Sequence, residues 1–161
     1  MITLEIQGVE ETARHIEALP ETLREKLRAS IERFVQDAYN RVRDKLSGGV
    51  LQRRSGRLLG AVNYNVEDRG SGLRGTLSVD SAAAPYAAIQ EYGGETRAHP
   101  ILPKSARILA FPAGGKTVFA RRVNHPGSVI PERSYLRSTL AEMKPDIQAE
   151  LASTVADGDR P

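Results

Sequence analysis

The residues whose chemistry no simple helix or strand pattern absorbs are a few histidines, the carboxylates near them, and several arginines. The histidines are His15, His99 and His125. His99 and His125 each precede a proline and flank a strand-like pair, Arg107 to Phe111 and Thr117 to Val123, at mirror positions. They can face each other there, and with Glu91 or Glu95 they offer an imidazole–carboxylate set of the kind used to ligate a metal or move a proton. No two histidines stand at helical ligand spacing, so polar residues that cap loops are the better account. His15 falls among charged residues of an expected helix and reads as solvated. Gly114-Gly115-Lys116-Thr117 invites comparison with a phosphate-binding loop, but that motif needs a glycine at position 110, where Ala110 stands, and must open into a helix. Here Lys116 opens a strand, and the glycines read as a hairpin turn. No Gly-x-Ser-x-Gly elbow occurs. The pattern indicates no enzyme, no catalytic or metal-binding residues and no cofactor.

The arginines form groups. Arg53, Arg54 and Arg57 join Arg41, Arg43 and Lys45 around the end of a long expected helix. Arg97, Lys104, Arg107, Lys116, Arg121, Arg122 and Arg133 gather around the central strand pair. Phosphate contacts need charge rather than a base-reading motif, so Arg53, Arg54 and Arg57 are candidates for a DNA-facing surface making nonspecific contacts. The net charge of +3 is too small to demand nucleic acid. The aromatic interleaving used for single strands is missing. Without cysteine, disulfides and thiolate metal sites are excluded. No run approaches the roughly 20 apolar residues of a membrane span, and Met1-Ile2-Thr3-Leu4-Glu5 lacks the regions of a signal peptide. The expectation is a soluble protein made in the cytoplasm.

The elements that must position these residues follow from periodicity. Ile2, Leu4 and Ile6 alternate with polar residues and predict a first strand; a short helix is expected from Val9 to Leu19. Leu27, Ile31, Phe34, Val35, Ala38, Val42 and Leu46 step by three and four, giving one long amphipathic helix stopped by Gly48-Gly49. Val62, Tyr64 and Val66, then Leu73, Gly75, Leu77 and Val79, alternate about Arg69-Gly70-Ser71-Gly72 as a β-hairpin with a flexible tip. A short helix from Pro85 to Tyr92 is capped by Asp80 or Ser81 and ended by Gly93. A second hairpin turns at Ala113-Gly114-Gly115. After Pro131, Leu136, Leu140, Met143, Ile147, Leu151 and Val155 predict a last helix, kinked or restarted at Pro145. The order predicts an α+β fold, an antiparallel or mixed sheet packed by the long N-terminal helix and the C-terminal helix. It is one domain over 1–156 with long loops at 47–57 and 93–134, and a disordered tail at 157–161. Aromatics are only 5% of residues, so the core is modest and some segments need a partner.

The order of motifs resembles the tail-completion, or head–tail joining, proteins of long-tailed bacteriophages, a gene-product-10-like tail-component family also described as minor tail or virion morphogenesis proteins. Ser55-Gly56-Arg57-Leu58 is similar to its Thr/Ser-Gly-x-Leu turn. Tyr86-Ala87-Ala88-Ile89-Gln90-Glu91-Tyr92-Gly93 is similar to its Tyr-Ala-x-x-x-Glu-Tyr/Phe-Gly element. Ile101-Leu102-Pro103-Lys104 and Leu109-Ala110-Phe111 follow, then His125-Pro126-Gly127 and Arg133-Ser134-Tyr135-Leu136. The resemblance covers Pro20 to about Met143. The sequence departs from it at Ser134, where the family often has proline, at Tyr135 for phenylalanine, and in an extended C-terminus.

The resemblance implies a non-enzymatic virion protein of the neck or upper tail. It implies a homo-oligomeric, typically hexameric ring between a tail-terminator or tail-tube ring and head-completion components, with no membrane partner. On that reading the expected subunit-interface residues are Glu91, Tyr92, His99, Pro103, His125, Pro126, Arg133 and Tyr135. The alternative is a standalone nucleic-acid-binding protein or a small metal-dependent hydrolase using His99, His125 and Glu91.

Overall fold

A computed structural model describes residues 2–6, 21–68 and 72–158. The helix expected at 9–19, the turn at 69–71 and the last three residues of the expected tail lie outside them.

Helix α1 spans Glu21–Asp44 and buries Leu23, Leu27, Ser30, Phe34, Val35, Ala38 and Val42, one stripe at steps of three and four. Its α-helical bonding ends at Asp44, one turn before the predicted stop at Gly48-Gly49. A widened turn over Lys45–Gly49 carries Gly48 at φ 136°, and the N–H groups of Val50 and Leu51 both reach the Lys45 carbonyl. The stripe lies on a three-stranded sheet of β1 (Ile2–Ile6), β2 (Val62–Asp68) and β3 (Leu73–Val79). Its order is β1-β3-β2 and both pairings are antiparallel, which settles the antiparallel-or-mixed expectation. Leu73, Gly75, Leu77 and Val79 of central β3 are buried, and polar residues occupy the alternate positions. Gly75 is where α1 presses closest: a Cβ there would sit 2.4 Å from Val35 Cγ2.

In the chain a short helix α2 (Arg57–Gly60) precedes β2, and α3 (Ala87–Tyr92) follows β3. The last helix, α4, spans Leu136–Gly158 without interruption at Pro145. The expected restart does not occur: Pro145 and Ala141, whose carbonyl loses its partner, lie on the exposed face, where water can replace the bond. The helix also runs past the boundary expected for a disordered tail, through Asp157 and Gly158.

Helix α4 runs antiparallel along α1. Lys45 Nζ reaches Glu142 Oε1 at 2.7 Å and Ser138 Oγ at 2.8 Å near one end, and Arg33 pairs with Glu150 nearer the other. The main core gathers Phe34, Ala38 and Val42 from α1, Leu46 from the widened turn after it, Leu77 and Val79 from β3, and Leu136, Met143 and Ile147 from α4. A smaller cluster, Leu23, Leu27 and Leu73, packs against Ile31 and Leu151.

Residues 93–134, expected as long loops around a hairpin, are largely paired. β4 (Gly94–Thr96) pairs with β9 (Ser128–Ile130), β5 (His99–Ile101) with β8 (Val123–His125), and β6 (Leu109–Ala113) with β7 (Lys116–Ala120), all antiparallel. The ladders are nested, so the segment is one long β-arm. A two-stranded ladder leaves one side of each strand unpaired, and a proline whose nitrogen faces that side removes no ladder bond, which accommodates Pro100 and Pro112. At the tip, Gly114 and Gly115 take φ of 57° and 76° between paired Ala113 and Lys116, a two-residue hairpin turn.

Candidate functional site

The arm leaves the body directly after Glu91-Tyr92 and returns directly before Ser134-Tyr135. Glu91 joins its two ends. The side chain is fully buried. Its Oε2 accepts the N–H of Tyr135 at 2.8 Å and of Leu136 at 3.0 Å. Its Oε1 accepts the Arg137 N–H at 2.9 Å and the Ser134 hydroxyl at 2.8 Å. The first turn of a helix leaves such N–H groups without intrahelical partners, and a carboxylate also complements the positive helix end. Burial pushes the Glu91 carboxyl up. The hydrogen bonds from Leu136, Arg137, Tyr135 and Ser134 outweigh that and hold it below the ordinary carboxylate value.

Other contacts lock the same joint. The Arg133 N–H reaches the Gln90 carbonyl at 2.9 Å. Arg137 contacts Glu91 Oε1 at 3.3 Å and Glu132 Oε1 at 2.7 Å, and its guanidinium lies 4.5 Å from the centre of the Tyr92 ring. The Tyr135 hydroxyl donates to the Ala87 carbonyl at 3.3 Å, and burial, then the Glu91 charge, push its pKa above the ordinary phenol value. Gly93 ends α3 at φ 69°, and a Cβ on it would lie 2.7 Å from the Glu132 nitrogen on the segment that follows β9.

Two of the expected interface residues are therefore corrected. Glu91 and Tyr135 are enclosed by their own chain and form the joint, so neither side chain is free to touch another subunit. Tyr92, His99, Pro126 and Arg133 are exposed, and Pro103 and His125 are half-buried, all along the arm or at its base. His99 and His125 do face each other: they are directly paired in the β5–β8 ladder, with rings stacked 5.1 Å apart. His99 Nδ1 lies 3.0 Å from the Arg97 carbonyl, which can only accept, so that nitrogen carries the proton. His125 Nδ1 accepts the Gly127 N–H at 3.0 Å, which in the neutral ring leaves the proton on Nε2. Each ring thus braces a bend of the arm. The Glu91 oxygens are occupied at the joint, so the His99–His125–Glu91 constellation of the alternative reading is not assembled. Among the described residues no group of three or more His, Cys, Asp or Glu could hold a metal ion.

The arm carries contact chemistry beyond the expected residues. Phe119 is 64% exposed and Val129 is 77% exposed; Leu102, Ile108, Ile101 and Val118 are also open. In the β6–β7 ladder Leu109, Phe111, Val118 and Ala120 share one face, and Ala110, Pro112 and Phe119 lie on the other. A ribbon apolar on both faces has no natural solvent side. The signal was in the sequence as consecutive apolar residues, Ile108 to Ala113 and Val118 to Ala120, where a half-buried strand would alternate.

The arginines separate by partner. Arg41 pairs with Asp37, Arg43 donates to the Tyr39 hydroxyl, and Lys45 pairs with Glu142. Arg53, Arg54 and Arg57 instead line a cavity of about 880 Å³ together with Arg133, which the sequence had placed in a different group. None of the described helices is long and apolar enough to cross a membrane. No protein-family profile, no curated protein and no solved structure matches this chain.

Proposed function

We propose that this chain is a structural subunit of a tailed-phage particle, acting at the neck or upper tail by assembling into a ring through protein–protein contacts. The observation that supports this reading is the β-arm. Its base is fixed by buried hydrogen bonds at Glu91, while its outer half presents apolar residues on both faces that stay open among the described residues. Isolated two-stranded ribbons are marginal in water, and large open apolar patches mark sites of association. Charge is segregated in the same sense. Residues 93–131 hold six Lys and Arg against a single Glu, a charge of +5 in a chain whose total is +3, so the rest is mildly acidic. An arm of one sign reaching for a body of the other suits a head-to-tail contact, in which each subunit offers one surface and accepts another. The motif order described above supplies the biological setting.

The test joins assembly to location. Light scattering behind gel filtration, with negative-stain imaging, is expected to show closed oligomers of the purified chain. A Phe119→Asp, Val118→Asp variant in the outer hairpin is expected to remain folded by circular dichroism and to run as a monomer. Mass spectrometry of tailed particles from the cell that encodes the chain is expected to find it there. A wild-type monomer at high concentration, together with absence from such particles, would overturn the reading.

A further inference from the structure

We infer that the arginine-lined cavity is a docking site for a short acidic and aliphatic segment of a partner protein, a function separate from that of the arm. The cavity lies between the loop after α1, helix α2 and the base of the arm, and its volume of about 880 Å³ falls within the range of built ligand sites, about 300–1,000 Å³. Arg53, Arg54, Arg57 and Arg133 line it, and among the described residues no acidic one does. None of these guanidinium groups has a carboxylate partner among the described residues, although ion pairs are frequent elsewhere on the body. Arg57 is steered by a bond from Nη2 to the Ala83 carbonyl at 3.2 Å, which leaves its other donors available. Four cations held in one recess repel one another, and an anionic occupant relieves that repulsion.

The rest of the lining decides which anion. Leu46, Leu51, Leu58 and Leu59 supply an apolar part of the wall, which a phosphate backbone would leave unused. Gln90 also lines the cavity, and its side-chain oxygen, shielded from solvent and without a hydrogen-bond partner among the described residues, gains one when the carboxamide turns toward an occupant. A carboxamide is the complement of a peptide unit: it takes the peptide N–H and gives its own N–H to the carbonyl. A DNA backbone brings acceptors only. Carboxylates for the arginines, an aliphatic side chain for the leucines and a peptide bond for Gln90 together describe an acidic–aliphatic polypeptide. The expectation that Arg53, Arg54 and Arg57 face DNA is the rival outcome.

The experiment pans a displayed library of random short peptides on the intact purified chain and measures the selected peptides by fluorescence anisotropy. A mixed-sequence DNA duplex is the comparison probe. Enrichment of Asp and Glu beside Leu, Ile or Val is expected. Reversing one guanidinium, Arg57→Glu, is expected to weaken binding by about tenfold or more, and Gln90→Leu to weaken it without altering the preference for acids. Both variants sit on the surface of the cavity, and an unchanged thermal midpoint confirms that they fold. No enrichment, enrichment of neutral or basic peptides, or a duplex bound more tightly than any peptide and lost in Arg57→Glu would each overturn the inference. None of these results depends on whether the chain forms rings, so this site and the assembly reading stand or fall apart.

Discussion

Replacing Glu91 with glutamine changes the side chain by one heavy atom's identity and removes its charge, leaving its volume intact. At neutral pH the carboxylate takes three backbone N–H bonds from Tyr135, Leu136 and Arg137 and one hydroxyl bond from Ser134, all within 3.0 Å. A carboxamide can place its oxygen at only one of the two positions, and its NH2 group then confronts donors at the other. Hydrogen bonds to a charged group contribute about 1.5–3 kcal/mol each, and breaking a buried charged network costs about 3–5 kcal/mol. A loss of about 3 kcal/mol is expected for Glu91→Gln and about 4–5 kcal/mol for Glu91→Ala, where a cavity is added. That is a large share of the 5–15 kcal/mol or so that stabilises a typical domain.

Urea unfolding followed by far-ultraviolet circular dichroism measures this, and pH separates charge from shape. The folded-state carboxyl titrates below its ordinary value of 4.5, so the fold favours the ionised form. The stability this provides is complete above that value and is lost as pH falls through the lower, folded-state value. The gap between wild type and Glu91→Gln should therefore be full at neutral pH and narrow in acid below 4.5. Hydrogen exchange should also speed up selectively in β4 and β9, where the arm leaves and returns. A glutamine variant as stable as wild type at neutral pH, or a gap that does not narrow in acid, would refute the reasoning.

The remaining expectations concern close approaches of the backbone. In Gly75→Ala a methyl group meets Val35 Cγ2 at 2.4 Å and Ile31 Cγ2 at 3.0 Å, which forces α1 away from β3. A loss of about 1–3 kcal/mol is expected by urea unfolding, with Val35→Ala partly restoring it in the double variant. In Gly93→Ala the new Cβ meets the Glu132 nitrogen at 2.7 Å and the Ile130 oxygen at 3.0 Å, at a positive φ as well. Because backbone cannot swing aside as a side chain can, about 2 kcal/mol or more should be lost, and proteolysis within 93–134 should accelerate before the body unfolds.

What the sequence made legible was what is local. The stripe of α1, the alternation of β3, the Gly114-Gly115 turn and the periodicity of α4 each lie in one window, and each was readable there. The ladders of the arm were not. β4, β5, β8 and β9 are three residues each, carry proline or glycine at or beside them, and find partners across the whole arm. The same distance hid the role of Glu91. A helix start with Ser134 ordinarily finds its acid three residues later in a capping box, but Arg137 stands there. The missing carboxylate comes from 43 residues upstream, and only the fold brings it in. Arg133 was separated from Arg53, Arg54 and Arg57 for the same reason: the cavity they share is made by elements far apart in sequence.

The joint and the arm divide the work in a way that constrains how the protein can function. Closing a long segment costs entropy that grows only slowly with length, so one well-made joint can hold a long arm in register. Here that joint is the most enclosed part of the arm region, with Glu91 and Tyr135 fully buried, while the outer hairpin holds Phe119, 64% exposed. Direction is therefore set at the base by the chain itself, and on the assembly proposed above the open tip is what a neighbouring subunit would cover. Substitutions at the tip should change association and spare stability, whereas substitutions at the base should change both. A tip variant that unfolded the body, or a base variant that left association intact, would mean that the arm packs against its own domain and that its apolar faces need no partner.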